Sequence, residues 1–86
     1  MKVIWSNKAL EQLRFWKRTN PKVTKRIQIL IDNIVSTPYD GKGKPEPLKY
    51  KLNGSWSRRI EQEHRLVYSV NLEIKLIEIE SCKGHY

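Results

Sequence analysis

Three side chains in this chain have the types that acid–base chemistry on a phosphodiester requires: Glu46, Arg65 and His85. Cleaving RNA through its own 2′-hydroxyl needs a base to take that proton. It needs cations for the charge that builds on the phosphoryl oxygens, and an acid to protonate the leaving 5′-oxygen. A carboxylate, a guanidinium and an imidazole fill those roles without a metal. Each residue also has a plainer reading: a surface carboxylate balancing lysines, an arginine on a strand surface, a solvated histidine near a chain end. Other chemistries lack their motifs. There is no phosphate-binding Walker loop, no G-x-G-x-x-G and no defensible Ser-His-Asp order. One cysteine and two histidines give no zinc ligand set.

Glu46 sits in Y-D-G-K-G-K-P-E-P-L-K, residues 39–49. Pro45 fixes its own φ, and a residue before proline is held extended, so Glu46 is presented from a stiff backbone. Two glycines and two prolines exclude a regular element here. Lys42, Lys44 and Lys49 surround the carboxylate. Cations so close make it a weaker base, and a site of this kind gains from a partner that reshapes it.

Arg65 belongs to W-S-R-R-I-E-Q-E-H-R-L-V-Y, residues 56–68. Two alternating runs joined at Glu61, Gln62 and Glu63 predict a hairpin. Trp56, Arg58 and Ile60 then share a face with His64, Leu66 and Tyr68, because gathering the large apolar groups fixes register. The same register sets Arg59 opposite Arg65. Like charges facing each other across a sheet are destabilising, so the pair predicts an anion between them. Trp56, Ile60, Leu66 and Tyr68 are expected to face the core, and both arginines the open side.

The remaining elements must form the floor beneath this hairpin. Lys2 to Trp5 predicts a strand, and Ser6 an N-cap. Ala9, Leu10, Leu13 and Trp16 predict a helix to about Arg18, with Phe15 off the stripe. Asn20 and Pro21 open a second helix, in which Val23, Ile27, Leu30, Ile31 and Ile34 form one apolar stripe. Lys22, Lys25 and Arg26 lie away from it, as a solvated face or a phosphate-contacting one. Tyr50 to Gly54 predicts a short strand and turn, and Ile74 to Ser81 a last strand after a turn at 71–73. The order is strand, helix, helix, strands. It predicts a two-layer α+β domain, with both helices on one face of a mainly antiparallel sheet and the other face free.

The net charge of +8 is unevenly spread. Residues 1–36 carry eight Lys/Arg against two acids, residues 37–59 six against two, and residues 60–86 three against five. Such a basic domain suits nucleic acid, an acidic protein or an anionic surface. Cys82 is the single cysteine, which excludes an intrachain disulfide and fits a reducing, cytoplasmic setting. Nothing reads as an export signal or a membrane span.

Several segments together resemble one family. These are Ile4-Trp5-Ser6, G-K-G-K-P-E-P-L-K at 41–49, W-S-R-R-I at 56–60, E-H-R-L-V-Y at 63–68 and the terminal His-Tyr. The chain looks like a YoeB/Txe-type toxin of the RelE superfamily, from bacterial type II toxin–antitoxin systems, and the likeness runs from end to end. It departs from the family pattern at Ser55, often a larger residue, and in the ending Lys-Gly-His-Tyr.

The resemblance implies a single RelE-like domain over residues 1–86, in the order β-α-α-β-β-β with a twisted sheet. It implies a ribosome-dependent endoribonuclease that cuts mRNA in the A site and stops translation. Glu46 would be the general base, Arg65 the stabiliser of the transition state, and His85 the general acid. Tyr86 would orient the substrate. Lys49, Arg59 and Lys44 would hold phosphates, and the helix cations would grip ribosomal RNA. No cofactor and no metal is implied. The partners would be the ribosome and a cognate antitoxin, in a homodimer or a toxin–antitoxin hetero-oligomer, with no membrane. Two other readings stand beside this one. The first is a non-catalytic toxin of the same fold that blocks the ribosome or a topoisomerase by binding. The second is a basic RNA- or DNA-binding module, which strong salt dependence would mark.

Overall fold

A computed structural model describes residues 1–49 and 54–84. The elements are β1 (Lys2–Trp5), α1 (Asn7–Thr19), α2 (Pro21–Ser36), β2 (Glu46–Pro47), β3 (Trp56–Glu61), β4 (His64–Asn71) and β5 (Leu76–Ser81). The strands form one sheet in the order β1-β5-β4-β3-β2. β1 runs parallel to β5, and the other neighbours are antiparallel. This is the expected α+β architecture, with a parallel edge and, among the described residues, one more short strand than the β-α-α-β-β-β order that the resemblance implied.

Local chemistry accounts for the helices. Ser6 Oγ accepts from the Ala9 N–H at 3.0 Å and donates to the Glu80 carbonyl at 2.9 Å, so one hydroxyl caps α1 and ties it to β5. Asn20 serves both helices. Its N–H donates to the Trp16 carbonyl at 2.8 Å, closing α1, and its Oδ1 accepts from Val23 N–H at 3.3 Å, opening α2. Pro21 takes the first turn, where no N–H is needed.

The apolar stripe of α2 is buried in full: Val23, Ile27, Leu30, Ile31 and Ile34. It meets Ile60, Leu66, Tyr68, Ile77 and Ile79 from the sheet and Ala9 and Trp16 from α1. Burying one such aliphatic side chain contributes about 1.5–3 kcal/mol, so this stripe is the main anchor of α2. Trp56 and Phe15 are half-buried against the same cluster.

The structure corrects three expected boundaries. Residues 39–49 are not wholly irregular, because Glu46 and Pro47 pair with Ser57 and Trp56 as β2. The flanking prolines hold extended φ, and a sheet edge tolerates proline. The hairpin loop is shorter than Glu61–Glu63. A bulge after Arg59 lets Glu61 pair with His64, leaving Gln62 and Glu63 as the turn. The last strand starts at Leu76, not Ile74. Asn71 Oδ1 accepts from the N–H groups of Glu73 and Ile74, and Lys75 has φ +52°, so the turn extends two residues further. Most of the strand expected at Tyr50 to Gly54 lies outside the described residues.

Candidate functional site

Neighbouring arginines on β3 have opposite environments, and the site follows from that. Alternation sends Arg58 into the protein, at 0 % exposure, and Arg59 out of it. The sequence placed Arg58 on the apolar face; it is the functional residue that reading passed over. Its Nη2 donates to the carbonyls of Thr37 (2.6 Å) and Asp40 (3.0 Å). Its Nη1 donates to the Lys42 carbonyl (3.1 Å) and to Asn33 Oδ1, and its Nε to the Tyr68 hydroxyl (3.1 Å). A buried guanidinium stays charged, so it must be solvated by the protein. Here the solvation is mostly carbonyl oxygen, and it gathers the end of α2 and residues 37–42 around one point. Tyr68 passes the chain on by donating to the Pro38 carbonyl at 2.7 Å. Burial pushes the Tyr68 hydroxyl above its usual range, and the Arg58 charge partly opposes that shift.

That knot sets the course of the segment bearing Glu46. Gly43, at φ +82°, lies on β3 so closely that a Cβ would stand 2.9 Å from Leu30 Cδ2 and 3.1 Å from Arg58 Cβ. Its carbonyl accepts from Arg59 N–H at 2.7 Å. Lys44 follows, also left-handed at φ +51°. The chain then extends through Pro45 into β2, and the Leu48 N–H donates to the Ser55 carbonyl at 2.8 Å.

The result is a cleft of about 150 Å³ lined by Lys44, Glu46, Leu48, Ser57, Arg59 and Arg65. Arg59 and Arg65 are in direct register across β3 and β4. Arg65 is braced: its Nη1 donates to the carbonyls of Glu61 (2.8 Å), Gln62 (3.2 Å) and His64 (3.2 Å). A drug-sized ligand usually needs ~300 Å³ or more, so this cleft suits a single phosphodiester. Three cations, one carboxylate and one hydroxyl give it the means to hold an anion and to move a proton. A depression of about 520 Å³ at Tyr39, Ser69, Val70, Asn71, Leu72, Glu73, Leu76 and Glu78 is roomier. It has carboxylates and no cation, the wrong sign for a phosphate.

The structure therefore brings together Glu46, Arg59, Arg65 and Lys44 from the sequence-predicted set, and adds Ser57 and Leu48. Alternation on β3, which puts Ser57 on the face of Arg59, was the signal for the first; no signal marked Leu48. Lys49 is exposed and does not line the cleft. His85 and Tyr86 lie outside the described residues. Gly84, bonded to His85, is described and is held at Arg65: its carbonyl accepts from Arg65 N–H at 2.8 Å. Among the described residues, no three His, Cys, Asp or Glu side chains are grouped to hold a metal. No helix among the described residues is long and apolar enough to cross a membrane.

Comparison with known proteins gives a consistent result. The family model for YoeB-like toxins of bacterial type II toxin–antitoxin systems matches residues 5–86. Toxin YoeB of Escherichia coli K12 is 48% identical over 86 residues, covering 100% of both chains. The structure of a YoeB/ParE toxin from Agrobacterium tumefaciens superposes with a TM-score of 0.95 at 43% identity, covering 100% of both chains. YoeB of Staphylococcus aureus has been solved as a dimer (TM-score 0.92, 40% identity) and in complex with YefM (TM-score 0.87, 41% identity). Each covers 100% of this chain and 98% of that one. An archaeal RelE in complex with RelB from Pyrococcus horikoshii matches at TM-score 0.76 and 20% identity, covering 96% of this chain and 92% of that one, a likeness of fold alone.

Proposed function

The chain belongs to the YoeB-like toxins of bacterial type II toxin–antitoxin systems, and from that premise we propose that it is a ribosome-dependent mRNA endoribonuclease cutting in the A site. The observation that carries the reading is the small cleft in which Glu46 shares a wall with Lys44, Arg59 and Arg65. A pure binding surface needs the cations but not the carboxylate among them.

In this reading the Glu46 carboxylate takes the proton of the 2′-hydroxyl, and the 2′-oxygen attacks phosphorus. Arg65 carries the charge that grows on the non-bridging oxygens, and its bracing by the turn carbonyls spares reorganisation at that moment. The bond from phosphorus to the 5′-oxygen breaks, and His85 supplies that oxygen with a proton. The products are a 2′,3′-cyclic phosphate and a 5′-hydroxyl. Arg59 and Lys44 hold the scissile phosphate. Lys49, outside the cleft, takes a neighbouring one, and Tyr86 orients a base. Residues 1–86 act as one domain in the cytoplasm, where the ribosome is the platform. The partner is a cognate antitoxin, and the free toxin pairs as a homodimer; the assemblies of the Staphylococcus aureus relative support both proposals.

The test is to map new mRNA 5′ ends on programmed ribosomes with the native toxin, Glu46→Gln and His85→Gln. The reading expects A-site cuts from the native protein and a loss of about 10²-fold or more from each variant, with ribosome binding retained. Inhibited translation without new 5′ ends would instead make the protein a non-catalytic blocker. Binding that leaves translation running would make it a basic RNA-binding module.

A further inference from the structure

Residues 82–84, beyond β5, are tied down by two different elements. From α1, Trp16 Nε1 donates to the Cys82 carbonyl at 2.9 Å, and Gln12 Oε1 accepts from Cys82 N–H at 2.7 Å. The Lys83 ammonium lies 4.6 Å above the Phe15 ring. From β4, Arg65 N–H donates to the Gly84 carbonyl, and His64 Nδ1 accepts from Gly84 N–H at 2.8 Å. The α1 contacts hold the segment to the core. The β4 contacts turn its end towards Arg65.

The cleft does not use the His64 side chain, yet it is placed with care. The ring stands edge-on to Trp16 at 4.8 Å. Its Nε2 is 3.6 Å from Glu61 Oε1. Because Nδ1 accepts, its proton sits on Nε2, on the Glu61 side. A single imidazole thus joins α1, the end of β3 and the C-terminal segment.

We propose that His64 is a positioning residue: its Nδ1 clasps the Gly84 N–H and thereby holds the backbone at Gly84 beside Arg65. The consequence for catalysis rests on the role proposed above for His85; the clasp itself does not. A general acid must lie within hydrogen-bond reach of the leaving oxygen, and misplacement by about 1 Å can cost ~10²-fold. A proton donor one residue past Gly84 depends on how firmly Gly84 is held.

Two substitutions separate the clasp from packing. His64→Phe keeps a flat ring against Trp16 and removes the acceptor. His64→Asn restores an acceptor close to the Nδ1 position. Amide exchange in the free toxin, read residue by residue by NMR, is expected to quicken at Gly84 by about tenfold or more in His64→Phe, with little change in α2. His64→Asn is expected to recover most of the protection. Unchanged Gly84 exchange in His64→Phe overturns the clasp, whatever the activity. In single-turnover cleavage on programmed ribosomes, His64→Phe is expected to lower kcat about tenfold or more with KM nearly unchanged, and His64→Asn to rescue it. Free Gly84 exchange with full kcat overturns the positioning role and leaves the ribonuclease reading intact. If the native toxin cuts nothing, that reading fails, and the exchange experiment still decides the clasp.

Discussion

Arg59 and Arg65 stand directly opposite each other on β3 and β4, two guanidinium-bearing residues in one cleft with Glu46. Folding alone gains nothing from that pairing. Like charges opposed across a sheet cost roughly 0.2–1 kcal/mol. Arg59→Gln should therefore raise Tm by about 1–8 °C, given the steep response of a domain this small. It should lower mRNA cleavage by about 10²-fold. Thermal melts and cleavage assays on the same preparation test both halves. A lower Tm would show that the pair stabilises the fold and needs no anion between its members.

Gly43 and Gly54 are both left-handed, at φ +82° and +71°, but only Gly43 is crowded. An added Cβ at Gly43 meets Leu30, Arg58 and the Arg59 carbonyl; at Gly54 it meets nothing within 4 Å. Gly54→Ala should cost about 1–2 kcal/mol, the backbone penalty alone. Gly43→Ala should cost more and should push residues 43–47 off β3, carrying Glu46 with them. Cleavage normalised to folded protein should fall at least tenfold further in Gly43→Ala. Equal residual activity in the two would mean that Glu46 does not depend on this approach.

Arg58 is a cation in the core whose hydrogen-bond acceptors are neutral groups. Arg58→Met fills much of its volume but takes the donor from the carbonyls of Thr37 and Lys42, while the Asp40 carbonyl keeps the Thr37 hydroxyl and Asn33 Oδ1 keeps the Lys42 N–H. At ~1–3 kcal/mol for each unsatisfied group, the two carbonyls are expected to cost about 2 kcal/mol or more. That is a large share of the stability of a small domain. Arg58→Lys has one ammonium where a planar fork reaches several oxygens, and should recover less than half of the loss. Urea unfolding of both variants measures this. A loss below about 1 kcal/mol in Arg58→Met would show that residues 37–42 hold their course without it.

The parts of this molecule that were legible in the sequence are those set by local repetition. Val23, Ile27, Leu30, Ile31 and Ile34 announce α2 because a helix repeats every 3.6 residues. Trp56 to Tyr68 announces its own register because a one-residue slip would expose Leu66 and Tyr68. That register is also why Arg59 and Arg65 could be paired in advance. β2 was not legible, since two residues at a sheet edge pair through their backbone and leave no alternation to read. The Arg58 knot was hidden for another reason. Most of its acceptors come from residues 33–42, and nothing local says that carbonyls rather than a carboxylate will meet it. His64 and Gly84 lie 20 residues apart in the chain, and only the folded path makes them partners. Glu46 was found by type and by its flanking prolines, and the cleft adds Ser57 beside it.

Alkali offers a test of how tightly the core is sealed. Cys82 has no exposed surface, and burial pushes its thiol from the usual 9.0 up to about 12. Below pH 9 the thiol keeps its proton in both the folded and the unfolded chain, and its contribution to stability is fully present. Between pH 9 and about 12 the unfolded chain releases that proton while the folded protein holds it. Stability then falls with rising pH, by at most ~1.4 kcal/mol per pH unit for one group. Tyr68, whose hydroxyl is also raised by burial, adds a second loss above its ordinary value of 10.0. Cys82→Ala should cost about 1 kcal/mol at pH 7.5 through the small void it leaves. It should also remove the first of the two alkaline losses. Urea midpoints at pH 7.5 and pH 10 are expected to drift down less in Cys82→Ala than in the native protein. A thiol reagent at pH 8 should label the native protein only as fast as it unfolds. Equal drift in the two proteins, or rapid labelling of the folded one, would place Cys82 in contact with solvent, and the tie between Trp16 and the Cys82 carbonyl would no longer close the core at this end.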